Sequence, residues 1–294
     1  MIKIQFSGGL GNQMFQYAFA KHLAVKNNTD LVLDLSYIES KLPFKKFSTP
    51  MQYELDIFNI DAKLEKLFFG NAVTYPFAKS EFILKTKINT KKLNLLKENN
   101  LSFNAEYLNF PDNSFIQGNF QSELYFKEIE KIIRKDFTFN TKLDNENQHI
   151  LEQIQQTNAV AVHIRRGDYL SIKKNASKFR SLDINYYKNA VNILENKTEQ
   201  PAYFIFSDNI EWAKNHLNLE AKTTFINHNK GKNSYLDMFL MSQCKHNIIA
   251  NSTFSWWSAW LNSNHKKLVI APKIWFLTEE FNQNDIVPKS WITI

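Results

Sequence analysis

The amino-acid sequence predicts an α/β protein of two Rossmann-like halves, and three observations carry that prediction. Short apolar runs alternate with longer helical segments, the pattern of mainly parallel sheets joined by helices. The chain has 294 residues and is 44% hydrophobic, too long for most single cores and suited to two domains. Three of its strands run directly into glycine-rich, basic or amide-rich turns. In open α/β sheets that end of the strands is where ligands bind.

In the first half, residues 2–6 and 31–35 read as strands around a helix over 12–26. Residues 40–114, rich in Phe, Lys and Asn, show no clear period and are expected to be irregular. A strand over 115–118 is followed by a helix over 122–135. A polar helix over 141–156 leads to the second half, where the pattern is cleaner. Strands are predicted at 159–164, 203–207, 223–226, 247–250 and 268–270, and helices at 185–194, 210–216, 234–244 and 253–262. The boundary is placed at 150/151, giving domains 1–150 and 151–294 within a zone of 145–158.

Chemistry concentrates in the turns. His163-Ile164-Arg165-Arg166-Gly167-Asp168-Tyr169 follows the apolar run Ala159-Val160-Ala161-Val162. Two adjacent guanidiniums at a buried strand end are costly unless they meet an anion, and their planar forks suit phosphate oxygens. The alternative is a solvated Arg pair. A second strand runs into Asn251-Ser252-Thr253-Phe254-Ser255-Trp256-Trp257, which reads as a capped helix start. Free N–H groups and the helix dipole there suit phosphate, although an ordinary N-cap is the commoner meaning. The tryptophans read as core. At the N-terminus, Ser7-Gly8-Gly9-Leu10-Gly11-Asn12-Gln13 joins a strand to a helix and allows a tight turn or close approach of a ligand. The spacing is neither the dinucleotide fingerprint nor a P-loop.

Together these segments resemble the α-1,2-fucosyltransferase family, glycosyltransferase family 11. The resemblance rests on Gly8-Gly9-Leu10-Gly11-Asn12-Gln13-Met14-Phe15-Gln16, His163-Ile164-Arg165-Arg166-Gly167-Asp168, Phe206-Ser207-Asp208-Asn209 and Asn251-Ser252-Thr253-Phe254-Ser255-Trp256-Trp257. These motifs occur in the family's order and span nearly the whole chain. The resemblance implies a GT-B arrangement, two Rossmann-like domains facing a cleft. The C-terminal domain would bind GDP-fucose, and the N-terminal one mainly the acceptor. It also implies metal-independent, inverting transfer of L-fucose to the 2-hydroxyl of a terminal galactoside. Transfer with another linkage (α-1,6), or of another GDP-sugar, is the nearest alternative.

Each candidate residue has a rival role. The resemblance places Arg165 on the β-phosphate and His163 beside guanine or ribose. Arg166 could contact the donor or hold its loop through a carboxylate. Asp208 could accept from guanine N1–H and N2–H₂, or cap the following helix. Asn251, Ser252, Thr253 and Phe254 form the second donor contact. Asp168 is the candidate general base, with a salt bridge to the arginines as its rival role. On the acceptor and fucose side stand Gly9, Asn12 and Gln13; Asn12 could equally cap its helix.

Composition sets further bounds. The formal charge of +7 fits a polyanionic substrate and also permits peripheral association with an anionic membrane. No two of the twelve aspartates are two residues apart, so no Asp-x-Asp metal site is encoded, and no cofactor or metal is expected. The single cysteine, Cys244, excludes an intramolecular disulfide and reads as a small buried hydrophobe. No run approaches 18 apolar residues and no signal peptide opens the chain, whereas Golgi members of the family it resembles carry an N-terminal anchor; the resemblance therefore implies a cytoplasmic bacterial enzyme, at most held at the inner face of the membrane. A nucleic-acid-binding protein would interleave clustered Lys and Arg with exposed aromatics. Here the aromatics fall within apolar segments.

Overall fold

The structure, a computed structural model, describes residues 1–40, 52–68, 75–166, 181–277 and 284–294. It divides into two compact units: Met1–Asn140 with Glu280–Ile286, and Thr141–Glu279 with Val287–Ile294. Each is an α/β unit on its own all-parallel sheet, the Rossmann-like pattern the sequence predicts.

The first unit runs β1 (Ile2–Gln5), α1 (Leu10–Lys26), β2 (Leu31–Asp34), α2 (Ser36–Glu39), β3 (Lys63–Glu65), α3 (Tyr75–Lys92), β4 (Asn94–Lys97), β5 (Ser114–Gln117) and α4 (Glu130–Asp136). The strand order is β3-β2-β1-β5-β4. Connections leave β1 in one direction and return on its other side at β5, so the topological switch point lies between these two strands. α1 begins at Leu10, two residues before its expected start, with Gly9 rather than Asn12 at the N-cap. It is buried on nearly all sides by Met14, Phe15, Tyr17, Phe19 and Leu23, which is why its sequence is apolar without a clean stripe.

Two expectations for this unit are corrected. Residues 40–114 are not uniformly irregular: they contain β3, β4 and the 18-residue helix α3. The helix expected over 122–135 is broken into two 3₁₀ turns, Glu123–Tyr125 and Lys127–Ile129, before α4. Tyr125 and Phe126 are both fully buried, and Phe126 takes φ −137°, outside the helical region. Turning both rings into the core outweighs helix propensity.

The second unit runs α5 (Asn145–Gln155), β6 (Asn158–Ile164), α6 (Ile184–Glu195), β7 (Pro201–Ser207), α7 (Ile210–His216), β8 (Thr223–Ile226), α8 (Tyr235–Gln243), β9 (His246–Ile248), α9 (Thr253–Leu261), β10 (Val269–Ala271) and β11 (Ile292–Thr293). The order is β11-β10-β9-β6-β7-β8, with the switch point between β6 and β9. α5 starts where the Asp144 carboxylate accepts the Asn147 N–H at 2.8 Å. It lays Ile150 and Ile154 against Phe204 and Leu240, so it belongs wholly to this unit. The division therefore falls at 140/141, ten residues before 150/151.

β6 reads as a continuous apolar run because both of its faces are covered. Val160, Val162 and Ile164 pack with Tyr187, Ala190 and Leu194 of α6, while Ala159 and Ala161 lie in the layer with Phe204, Phe206 and Met241. Each buried Val or Ile contributes about 1.5–3 kcal/mol. Trp256 and Trp257 are fully buried, with ring centroids 5.0 Å apart, and belong to the core as predicted. Cys244 is buried, and burial pushes its thiol pKa up.

Candidate active site

Register places the donor-side candidates together. Ile164 pairs with Ser207 across β6 and β7, and Val162 pairs with Ile248 across β6 and β9. Continuing the second register by two residues brings Ile164 level with Ala250. Arg165 and Asp208 are therefore the first residues off β6 and β7, level with Asn251 three residues past the end of β9, at the switch point where such sheets bind ligands.

Arg165 and Asp208 form an ion pair, Nε to Oδ2 at 3.7 Å, with both side chains about one-third exposed. The other carboxylate oxygen, Oδ1, accepts the Arg166 N–H at 2.9 Å. Asp208 thus faces the Arg165–Arg166 segment with both oxygens. It does not cap α7: Asn209 does, through Oδ1 to the Trp212 N–H at 3.1 Å. The helix-cap reading of Asp208 is thereby corrected, and its carboxylate contacts the Arg165 side chain and the Arg166 backbone. Arg166 lies flat on Trp212, with Cζ 3.9 Å from the ring centroid, and Trp212 stacks on His216 at 4.6 Å. Trp212 is a neighbour of Arg166 that sequence reasoning missed; its place in the first turn of the helix that follows Asp208 was the available signal.

His163 is 6% exposed, and its ring lies 5.9 Å from that of Phe254. Burial, reinforced by the charge of Arg165, lowers its pKa to about 3, so the ring is neutral. Its Nδ1 and the Arg166 Nε are buried and have no hydrogen-bond partner among the described residues. Buried polar atoms are normally satisfied, so these two lie at the strand end with donor or acceptor capacity that the described residues do not use.

The second anion candidate is a helix start, but not the side-chain-capped one that the sequence suggests. Ser252 occupies the N-cap of α9 with extended backbone (φ −135°, ψ 129°), and its side chain makes no capping hydrogen bond. The N–H groups of the first turn, led by Thr253 and Phe254, therefore keep their donor capacity for an anion. Asn251 is buried and anchors the turn, donating Nδ2–H to Trp275 O at 3.1 Å. Asp168 lies outside the described residues.

The N-terminal glycine turn sits at the switch point of the first sheet, and its side chains serve mainly to hold it. Gln13 is fully buried. Its Nε2 donates to Gly8 O at 3.0 Å and Gln52 O at 2.7 Å, and its Oε1 accepts the Glu54 N–H at 3.0 Å. That commitment corrects its expected role as a sugar contact. Asn12 Oδ1 accepts from Gln121 Nε2 at 2.9 Å. Gly8, with φ +75°, is the glycine that geometry requires: a Cβ there would sit 2.3 Å from Asn12 Nδ2. At Gly9 a Cβ would meet only Glu54 Oε2, at 3.5 Å, so backbone at Gly9 remains open to a ligand.

Two carboxyls at this edge were invisible in the sequence. Glu54 lies beside the turn and accepts the Leu10 N–H, and burial raises its pKa. Glu98, after β4, accepts the N–H groups of Asn119 at 2.6 Å and Phe120 at 3.0 Å; burial pushes it up to about 7. Phe120 has φ +51°, a strained conformation for a bulky residue costing about 1–3 kcal/mol. Among the described residues, no group of three or more His, Cys, Asp and Glu could hold a metal.

The model of the family "Glycosyl transferase family 11" matches residues 1–294. An Escherichia coli protein named alpha-1,2-colitosyltransferase is 34% identical over 308 residues, covering 100% of this chain and 99% of its own. Human galactoside alpha-(1,2)-fucosyltransferase 1 is 29% identical over 145 residues, 47% of this chain and 40% of that protein. Among solved structures, a mutant of Arabidopsis thaliana FUT1 in complex with GDP aligns with a TM-score of 0.50 at 9% identity, covering 91% of this chain and 69% of that one. That likeness speaks to the fold alone, the GT-B class with two parallel-sheet α/β units.

Proposed function

This chain belongs to glycosyl transferase family 11, and from that premise we propose that it moves L-fucose from GDP-β-L-fucose to the 2-hydroxyl of a terminal galactoside. The observation that carries the reading is the convergence, at one switch point, of Arg165 and the start of α9, whose N–H groups no side chain caps. Both suit a diphosphate, and His163 beside them suits the guanine or ribose. In the reaction the acceptor oxygen bonds to C1 of fucose on the face opposite the phosphate. The C1–O bond breaks, GDP departs with the bonding electrons, and the β-linkage becomes α. The transition state has oxocarbenium character, so stabilising the departing diphosphate is the main demand. Arg165 and the Thr253 and Phe254 N–H groups meet it, Asp208 and Trp212 hold the two arginines, and no metal is required. Asp168 assists loss of the acceptor proton.

A second reading has its own support, the relative named for colitosyl transfer that matches over nearly its whole length. Colitose is fucose without its 3-hydroxyl. A site built to hydrogen-bond that hydroxyl rejects the deoxy sugar strongly, whereas one that packs against the position does not.

The test is incubation with GDP-fucose or GDP-colitose and a panel of galactosides in EDTA, with the product linkage read by NMR. The expected result is an α-1,2-fucoside and one GDP per transfer. Preference for GDP-colitose selects the second reading. An α-1,6 product, or no transfer to any galactoside, overturns both. Turnover lost in EDTA and restored by magnesium or manganese overturns metal independence.

A further inference from the structure

Helix α3 carries a face that its own sheet does not use. Its inner side is set by Ala78 and Asn89, both buried, and by Phe82, whose ring lies 5.8 Å from that of Tyr37. Asn89 Oδ1 accepts from Lys3 Nζ at 3.2 Å, which ties this side to β1. On the outer side Phe77, Leu84 and Ile88 recur at spacings of seven and four, which align along an α-helix. Phe77 is 57% and Leu84 58% exposed. Phe68, 86% exposed, joins them, because its N–H donates to Glu81 Oε1 of the helix at 2.8 Å. Of the eleven large hydrophobic side chains exposed among the described residues, seven lie between Leu64 and Leu95. Exposed apolar side chains scattered singly need no explanation, but a concentration of them does.

The charge on this face has one sign. Lys87, Lys91 and Lys92, which flank the stripe, are all exposed. The helix has a single acid, Glu81, which is committed to the Phe68 N–H and to Lys85 at 3.6 Å. Lys85 itself donates to Lys66 O at 2.6 Å, away from the outer face.

We propose that the outer face of α3, with Phe68, docks on a lipid bilayer surface carrying anionic headgroups. Apolar side chains of this length reach the boundary between headgroups and acyl chains, while flanking lysines meet lipid phosphates and keep their stems in apolar contact. A second copy of the chain is the weaker occupant. Symmetric pairing would set the same lysines against each other with no acid to answer them.

The experiment is co-sedimentation with phosphatidylcholine vesicles, with and without phosphatidylglycerol, across a salt series. The protein is expected to bind only the vesicles with phosphatidylglycerol, and to come off as salt rises. Each of Lys87→Glu and Lys91→Glu should weaken partitioning by roughly fivefold or more, and Leu84→Asp by roughly tenfold or more. All three should keep wild-type melting and transfer to a soluble galactoside, since none lies at either switch point. If Leu84→Asp fails to fold, the lysine variants carry the test alone. Equal binding to vesicles without phosphatidylglycerol, or unchanged binding by the lysine variants, overturns the proposal. So does self-association without vesicles that Leu84→Asp abolishes.

Discussion

At the edge of the second sheet Arg165 and Asp208 come directly off β6 and β7, and Asn251, three residues past β9, leads into an uncapped helix start. At the matching edge of the first sheet, the loops after β1 and β5 are knitted by neutral amides. Gln16 bridges Ser7 Oγ at 2.9 Å and Gly118 O at 3.1 Å, Gln121 donates to Asn12, and Gln13 joins the glycine turn to residues 52–54. One architecture is thus furnished twice with different chemistry. Fixed cations and free N–H groups suit a departing diphosphate, whereas amides around an open backbone suit a neutral polyhydroxyl partner. Topology fixes where a ligand sits in these sheets, and the turn residues decide its charge.

The largest effect that would break this contrast is at Arg165. Arg165→Lys keeps the charge and loses the planar fork, so transfer should fall by about 10²–10³, or about 2–4 kcal/mol, with circular dichroism unchanged. Near-normal kcat/KM would remove Arg165 from the site.

The first unit should respond in stability instead. Gly8→Ala forces a left-handed φ on alanine and drives its Cβ into Asn12, which should cost about 1–3 kcal/mol in urea unfolding. Gly9→Ala should leave stability within about 0.5 kcal/mol, yet lower transfer if an acceptor approaches the backbone there. Equal destabilisation by both would mean that the turn has no open face.

The two edges also hold titrating groups shifted in opposite senses. His163 is depressed to about 3, so its contribution to stability is complete above the unfolded pKa, near 6.5, and is lost as pH falls towards 3. Glu98 is raised to about 7, so its contribution is complete below the ordinary carboxyl pKa and is lost as pH rises through 7. Relative to wild type, His163→Phe should therefore unfold less readily with acid, and Glu98→Gln less readily as pH rises towards 8. The full slope for one such group is about 1.4 kcal/mol per pH unit. Thermal melts between pH 4 and 8 check both signs, and parallel curves for the variants and wild type would deny the shifts.

The smallest predicted effect is at Trp212. Trp212→Leu removes the ring beneath Arg166 and should weaken GDP binding by about 0.5–1 kcal/mol, while Trp212→Phe restores most of it. If both variants weaken binding equally, Trp212 is packing alone.

Much of the second unit was legible because its signals are local. A continuous apolar run marks β6 as covered on both faces, and the residues in the turns at the strand ends form the candidate site. The first unit was less legible for physical reasons. The solvent face of α3 carries Phe77, Ile83, Leu84 and Ile88, which erases the amphipathic period that would have revealed a helix. Glu54 and Glu98 reach the glycine turn's edge only through tertiary folding, and nothing in their neighbours announces them. Asp208 looked like a helix cap because it precedes α7, but Asn209 is one residue nearer and has the same capping chemistry.

The central claim is that the cationic edge of the second sheet, and not the amide edge of the first, holds the nucleotide diphosphate. Calorimetric titration of GDP into wild type, Arg165→Lys and Asn12→Ala tests it most directly. The account predicts that Kd rises at least about tenfold in Arg165→Lys, about 1.4 kcal/mol, and stays at the wild-type value in Asn12→Ala. Wild-type affinity in Arg165→Lys together with lost affinity in Asn12→Ala would contradict it.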